Sequence, residues 1–275
     1  MTKGESRNWG FLPDKEICMS NKLLDTGYVI TEVEDSQALD AIRNEIAELA
    51  SEYLGISDSK ASLFLNQFHD SVSVTELNQI RLHLIRKINA KPWFREKYFS
   101  LAPKALAALI GNELAMQRSV NLSIQLPRDD SSLLPVHADT WSGDSPFELV
   151  LWVPLVDCYE TKSMFILPPS CSEVLHERFF EYQNKSSEDL YRAIESLVEW
   201  IDIPYGKVLI FNQNLPHGNR VNDQDETRWS MNCRFKSLFS PYGDKKFGEF
   251  FVPTTIRAAT HIGINYRYPT NEGNA

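Results

Sequence analysis

At 275 residues, 43% hydrophobic and 24% charged, the chain has the composition of an ordinary globular protein and is long enough for one large domain with a substantial core. A formal charge of −9, with no local cluster of Lys and Arg, excludes the basic face that a nucleic-acid partner demands. The longest apolar stretches, such as 147–156, stop well short of the roughly 20 residues a membrane span needs, and the opening MTKGESRNWG lacks the apolar centre of a secretory signal, so a cytoplasmic location is expected.

Residues before 27 read as a mobile arm, which becomes ordered in a short β-type run at 27–30. Leu39, Ile42, Ile46, Leu49 and Tyr53 then recur at three- and four-residue steps, the spacing of one face of an amphipathic helix. Further helices are expected over 74–90 and 101–114, so the chain is mainly helical support up to about residue 118. From residue 119 the period changes to two. Asn121, Ser123 and Gln125 alternate with Val120, Leu122, Ile124 and Leu126, giving a strand with one polar and one apolar face. The helices can cover the apolar face, which leaves the polar face to line an internal cavity. Strand runs follow at 147–156, 163–167, 207–211 and 228–239. Between them, 170–203 is a helical insertion with Leu190, Ile194, Leu197 and Val198 on one face; it serves either as a lid or as outer padding.

Helices first and many short strands afterwards fit an α+β fold: a double-stranded β-helix, or cupin-like jelly roll, flanked by N-terminal helices. The whole chain, 1–275, reads as a single domain, with a catalytic core over 119–240 and a C-terminal segment over 241–275. Cys18, Cys158, Cys171 and Cys233 lack paired metal-type spacing and are expected to be reduced, small apolar residues.

The chemistry concentrates at His137, Asp139 and His217. A His-x-Asp pair followed much later by a lone His is the ligand set of a two-histidine, one-carboxylate Fe(II) site, which leaves the opposite face of the metal open for a cosubstrate and O₂. On a strand, residues two apart face the same way, so His137 and Asp139 would reach one point, and the strand at 206–211 with the turn at 216–218 would deliver His217. His69, His83 and His176 have no such context and read as surface or structural groups.

The stretch 121–239, above all HADTWSGDSPFELVLWVPLVDCYETKSMFILP and PHGNRVNDQDETRWSMNCRF, resembles the 2-oxoglutarate- and Fe(II)-dependent oxygenases of the phytanoyl-CoA-hydroxylase-like branch. It is most similar to those found among bacterial carbohydrate-biosynthesis clusters. The resemblance is looser over the first hundred residues and nearly absent over the last thirty. It implies iron held by His137, Asp139 and His217, with 2-oxoglutarate and O₂ as cosubstrates. Arg228, eleven residues after His217, stands where the family places the arginine that anchors the far carboxylate, with a hydroxyl, Ser230, two residues later. Arg234 shares the strand parity of Arg228 and is the competing anchor. Gln125, Asn121 and Trp152 face the cavity by the same parity and are secondary cosubstrate contacts, although Trp152 serves equally as core packing. The family's common Pro-Gly-Ser-His loop is replaced here by residues 161–171, so substrate contacts from that loop do not carry over.

The implied reaction is oxidation, most simply hydroxylation, of a C–H bond, with release of succinate and CO₂. Native Asp139 leaves no ligand position reserved for a halide. The implied substrate is a small hydroxyl-rich metabolite, a sugar or sugar-containing intermediate. Trp141 would offer an apolar face at the cavity mouth, and Asp144 or Glu148 would accept hydroxyl hydrogen bonds. Arg257, His261 and Arg267 in the tail are a further candidate group for an acidic substrate. Rivals are a hydroxylase of an amino acid or acyl thioester, a cupin-type metalloenzyme that does not use 2-oxoglutarate, and a sugar-binding jelly roll without catalysis.

Overall fold

The computed structural model describes residues 10–56 and 60–269. Helix α1 (Asp14–Thr26) leads into strand β1 (Tyr28–Glu32), and then come α2 (Ser36–Leu54), α3 (Ala61–Asn66), α4 (Val74–Asn89), α5 (Phe94–Phe99) and α6 (Pro103–Ile110). The arm expected before residue 27 is therefore a helix from Asp14 onward, while residues 1–9 lie outside the described part. Two acids in its first turn, Asp14 and Glu16, suit the positive end of α1, and Gly27 at φ +85° closes it in the left-handed conformation. Its only buried residue is Ser20, so there is no apolar stripe to reveal it. The helix expected over 101–114 is also shorter. Gly111, at φ +127°, ends α6, and Leu114 opens strand β2 (Leu114–Gln117), whose four residues are all buried. A strand buried on both faces shows no alternation.

The remaining elements are β3 (Asn121–Gln125), β4 (Glu148–Pro154), β5 (Phe165–Ile166), α7 (Pro169–Glu177), α8 (Ser187–Ile194), β6 (Glu199–Trp200), β7 (Lys207–Asn212), β8 (His217–Gly218), β9 (Arg228–Ser237), β10 (Phe251–Thr255) and α9 (Ala258–Asn265). They build two antiparallel sheets. The larger runs β1-β7-β4-β9-β2-β10 with β3 also paired to β9, and the smaller runs β6-β5-β8. Residues of both sheets line one cavity, and the N-terminal helices share a continuous apolar core with the larger sheet. The architecture is the expected α+β double-stranded β-helix.

Strand β9 organises the interior. Its odd-numbered residues, Trp229, Met231, Cys233 and Phe235, are at most 1% exposed and belong to the helix-facing core. Trp229 packs edge-on to Phe68 with ring centres 4.8 Å apart, and its indole N–H donates to the Leu65 carbonyl at 2.9 Å. The even-numbered residues, Arg228, Ser230, Asn232, Arg234 and Lys236, form a polar seam on the opposite face.

The insertion packs on the outside of the smaller sheet. Leu190, Tyr191 and Ile194 of α8 join Val136, Phe165 and Leu175 in a separate small core, and Arg220 ties the insertion down through Glu188 at 2.7 Å. No residue of 169–203 lines the central cavity. Leu197 is 48% exposed and falls outside α8. All four cysteines are free; Cys158 and Cys233 are buried, Cys171 is half-buried and Cys18 is exposed. Among the described residues, no helix is long and apolar enough to cross a membrane.

Candidate metal centre

His137 and His217 face each other across an isolated antiparallel bridge, exchanging backbone hydrogen bonds of 3.0 and 2.8 Å. On its other side β8 pairs with β5, with Ile166 opposite His217, so the imidazole is delivered from a strand held on both edges. The next residue must be glycine: a Cβ at Gly218 would sit 2.7 Å from the Leu134 carbonyl oxygen. Asp139 does not continue the strand of His137, as parity predicts, but opens a 3₁₀ turn over Asp139–Ser142. The turn still directs its carboxylate inward, and Oδ1 lies 3.5 Å from His137 Nε2.

The ligand atoms of His137, Asp139 and His217 all lie within 4.8 Å of one another. Each imidazole is oriented through its outer nitrogen: Nδ1 of His137 contacts the Pro135 carbonyl and Nδ1 of His217 the Leu215 carbonyl, both at 2.8 Å. Donation from Nδ1 leaves the Nε2 lone pair for a metal. Burial and the neighbouring His137 lower the pKa of His217 to about 4, so it is neutral near pH 7. Burial also pulls His137 down, but its contacts with Asp139 and the Pro135 carbonyl outweigh this and raise it. For Asp139, burial pushes upward, yet the His137 hydrogen bond and the Arg234 charge hold the carboxyl well below the usual carboxylate range.

Arg234 occupies the second oxygen of Asp139. Its Nη2 lies 2.8 Å and its Nε 3.3 Å from Oδ2. The same guanidinium donates to Gln213 Oε1 at 2.9 Å and approaches Asp144 Oδ2 at 3.4 Å. Gln213 then donates to Glu148 at 3.0 Å, and Lys245 reaches Asp144 at 2.5 Å. A C-terminal clasp holds this network. Asp244 N donates to the Gly143 carbonyl at 2.9 Å, Ser145 Oγ donates to the Pro241 carbonyl at 2.6 Å, and Gly143 and Gly243 approach so closely that a Cβ on either would collide with the other strand of the clasp.

These ties correct three expected substrate contacts. Asp144 and Glu148 are buried and committed to the network, and neither lines the cavity. Burial raises the Glu148 carboxyl, as does Asp144, against the opposing pull of the Gln213 hydrogen bond. Trp141, also outside the lining, packs on Phe179 with ring centres 4.7 Å apart. The tail residues Arg257, His261 and Arg267 are exposed at or beside α9, away from the cavity.

Arg228, at the other end of β9, is 4% exposed. It donates from Nη1 to the Ser163 carbonyl at 2.8 Å and from Nη2 to Ser123 Oγ at 2.9 Å. No carboxylate pairs with it among the described residues. Its Nε, Ser230 Oγ and Ser163 Oγ are buried without hydrogen-bond partners. Burial lowers the guanidinium to about 10, which leaves it charged at neutral pH. Arg228, Asn121, Trp152 and the metal triad all line the same cavity of about 230 Å³. Asn121 donates to Asn232 Oδ1 at 3.0 Å across the β3–β9 register. Gln125 lies outside the lining; its amide donates to the Arg220 carbonyl and accepts from Asn219. Sequence parity places Ser123 and Asn232 on the cavity-facing side but assigns neither a contact, and sequence reasoning gives Ser163 no role at the site.

No family profile matches the sequence, and no curated protein matches it significantly. Solved structures do. The chain is similar to ThoJ, a non-heme monooxygenase solved as a nickel complex, at 14% identity over 86% of this chain and 84% of that one, with a TM-score of 0.55. EctD from S. alaskensis, solved with 2-oxoglutarate and 5-hydroxyectoine, matches at 15% identity over 87% and 81% of the two chains, with a TM-score of 0.54. HygX from Streptomyces hygroscopicus, with nickel and 2-oxoglutarate bound, matches at 12% identity over 86% and 90%, with a TM-score of 0.51. Over more than four fifths of its length, the chain therefore shares the fold of these solved structures.

Proposed function

We propose that this protein is a non-heme Fe(II)- and 2-oxoglutarate-dependent dioxygenase that hydroxylates a small polar metabolite, with a sugar or sugar-containing intermediate as the substrate class. One observation carries the proposal: the His137, Asp139 and His217 donor atoms converge on a cavity that also holds a buried arginine with no carboxylate partner. The donor set fits Fe(II), two neutral imidazoles for affinity and one carboxylate to offset charge. The solved structures of EctD and HygX with 2-oxoglutarate add support from the same fold.

His137 and His217 would bind the metal through Nε2 and Asp139 through Oδ1, because Arg234 already engages Oδ2. Arg228 would take the far carboxylate of 2-oxoglutarate, its idle Nε gaining an acceptor that the protein itself does not provide; Ser230 and Ser163, whose buried hydroxyls are also unpartnered, lie outside the cavity lining. Asn121 and Trp152 would flank the cosubstrate. The bound iron and keto acid supply the O₂ chemistry, with succinate and CO₂ as products. The protein positions the target carbon and needs no general base of its own. Four free cysteines suit a cytoplasmic setting.

Anaerobic titration of Fe(II) and then 2-oxoglutarate, followed by succinate measurement after O₂ is admitted, tests this. The wild type should bind both and form succinate; Asp139→Ala should still fold, at a lowered unfolding temperature because it breaks the pair with Arg234, but retain neither tight iron binding nor turnover. Normal turnover by Asp139→Ala would overturn the assignment.

A further inference from the structure

The metal chamber has a neighbour across Arg228. A second cavity of about 570 Å³ opens between α4 and the segment 131–134. It shares Asn121, Ser123, Leu134, Asn219, Arg228 and Asn232 with the chamber at the metal, so the two cavities adjoin at Arg228: a smaller inner room and a larger vestibule. On one side of the vestibule, α4 presents Asn78 and Arg81, three residues apart and so on one helix face. That helix is anchored in the core by Leu77, Ile80, Leu84 and Ile88, which makes it a firm mount for a recognition group.

The charge of this wall runs against the rest of the protein. The chain has 37 acidic and 28 basic residues, yet the vestibule lining contains two arginines and no Asp or Glu. Asp129, close by in sequence, is turned into its own loop, where it accepts from Ser131 N and Oγ, both at 2.8 Å. Arg81 donates to Asn78 Oδ1 at 2.8 Å and forms no ion pair among the described residues. If Arg228 takes 2-oxoglutarate, Arg81 remains as an unmatched guanidinium in the cavity that adjoins the metal chamber. A walled cleft of one sign concentrates ions of the other, and a guanidinium fork fits carboxylate or phosphate oxygens.

We infer that the vestibule binds the anionic end of the second substrate, a carboxylate or phosphate group, and that Arg81 recognises it. The inference rests on the oxygenase reading and narrows it: the substrate is an acidic metabolite held by its charged end with its body directed toward the metal chamber.

The test is calorimetric titration of the Ni(II)- and 2-oxoglutarate-loaded protein, without turnover, using D-glucose, D-glucuronate, D-glucose 6-phosphate and inorganic phosphate. The wild type should bind at least one anion and bind it better than glucose, with the carboxylate and phosphate arms showing which group is preferred. Arg81→Gln should weaken that binding about tenfold or more while leaving 2-oxoglutarate affinity unchanged. Arg81→Lys, which keeps the charge, should fall between. Equal binding of glucose and the anions, no binding of any anion, or anion affinity unaltered in Arg81→Gln would each overturn the inference. A loss of 2-oxoglutarate affinity in Arg81→Gln would also overturn it, by making the vestibule the path of the keto acid. Failure of the oxygenase reading would show separately, as a wild type that does not bind 2-oxoglutarate at all.

Discussion

Strand β9 carries two arginines on one face, and the protein surrounds them in opposite ways. Arg234 meets two carboxylates and a glutamine amide. Arg228 meets one carbonyl, one hydroxyl and no acid, and keeps one buried N–H idle. Residue type and strand parity are the same at both positions, so neither distinguishes them. What distinguishes them is whether the charge is already matched. A matched guanidinium can take a new anion only by abandoning its present partners, whereas an unmatched buried one carries a desolvation cost that an incoming carboxylate relieves. Under the proposed function Arg228 is the arginine that binds the cosubstrate, while Arg234 holds Asp139.

The sharpest test of that contrast is Arg228→Ala. Stranding the far carboxylate of 2-oxoglutarate without its partner costs about 3–5 kcal/mol, which at about 1.4 kcal/mol per tenfold lowers affinity by roughly two to three orders of magnitude. Anaerobic titration of 2-oxoglutarate measures it, and a larger loss in Arg234→Ala would reverse the two roles. Arg234→Ala should instead weaken metal binding, by about 10–100-fold as for other groups that orient a ligand, as read by competition with a chelator. Next in size is a pH effect. His137 has a raised pKa and must lose its proton to bind metal, so affinity should fall about tenfold per pH unit below that pKa. His217, already lowered to about 4, adds nothing until far more acidic solution. A flat pH profile between 5 and 7 would contradict this assignment. The smallest change is expected for Lys245→Met, which reaches Arg234 only through Asp144: a loss of a few-fold in metal affinity, with 2-oxoglutarate binding unaltered.

The convergence of His137, Asp139 and His217 is legible in the sequence because their residue types are rare in combination and their spacing has a chemical reason. The strands with alternating faces are legible for the same kind of reason: β3 and β9 each display a period of two. Strand β2 is not, since all four of its residues are buried, nor is α1, which buries almost nothing. The roles of Asp144 and Glu148 escape sequence reasoning for a different cause. Their positions after the metal ligands suggest a cavity mouth, but Lys245, Gln213 and Arg234 draw them into a buried network from distant parts of the chain. Parity places Arg234 correctly on the inner face and says nothing of its partners. Arg81 shows no signal at all, being one polar position among several on an amphipathic helix.

The clasp formed by residues 241–245 also sets an order on synthesis. The loop that carries Asp139 takes its support from Pro241, Gly243, Asp244 and Lys245, about a hundred residues later in the chain. While a nascent chain is still emerging, all three ligands and both arginines of β9 are made before that support exists. The candidate metal site is complete only with the C-terminal segment folded back, so under the proposed function the integrity of the metal centre depends on a segment that contributes no ligand.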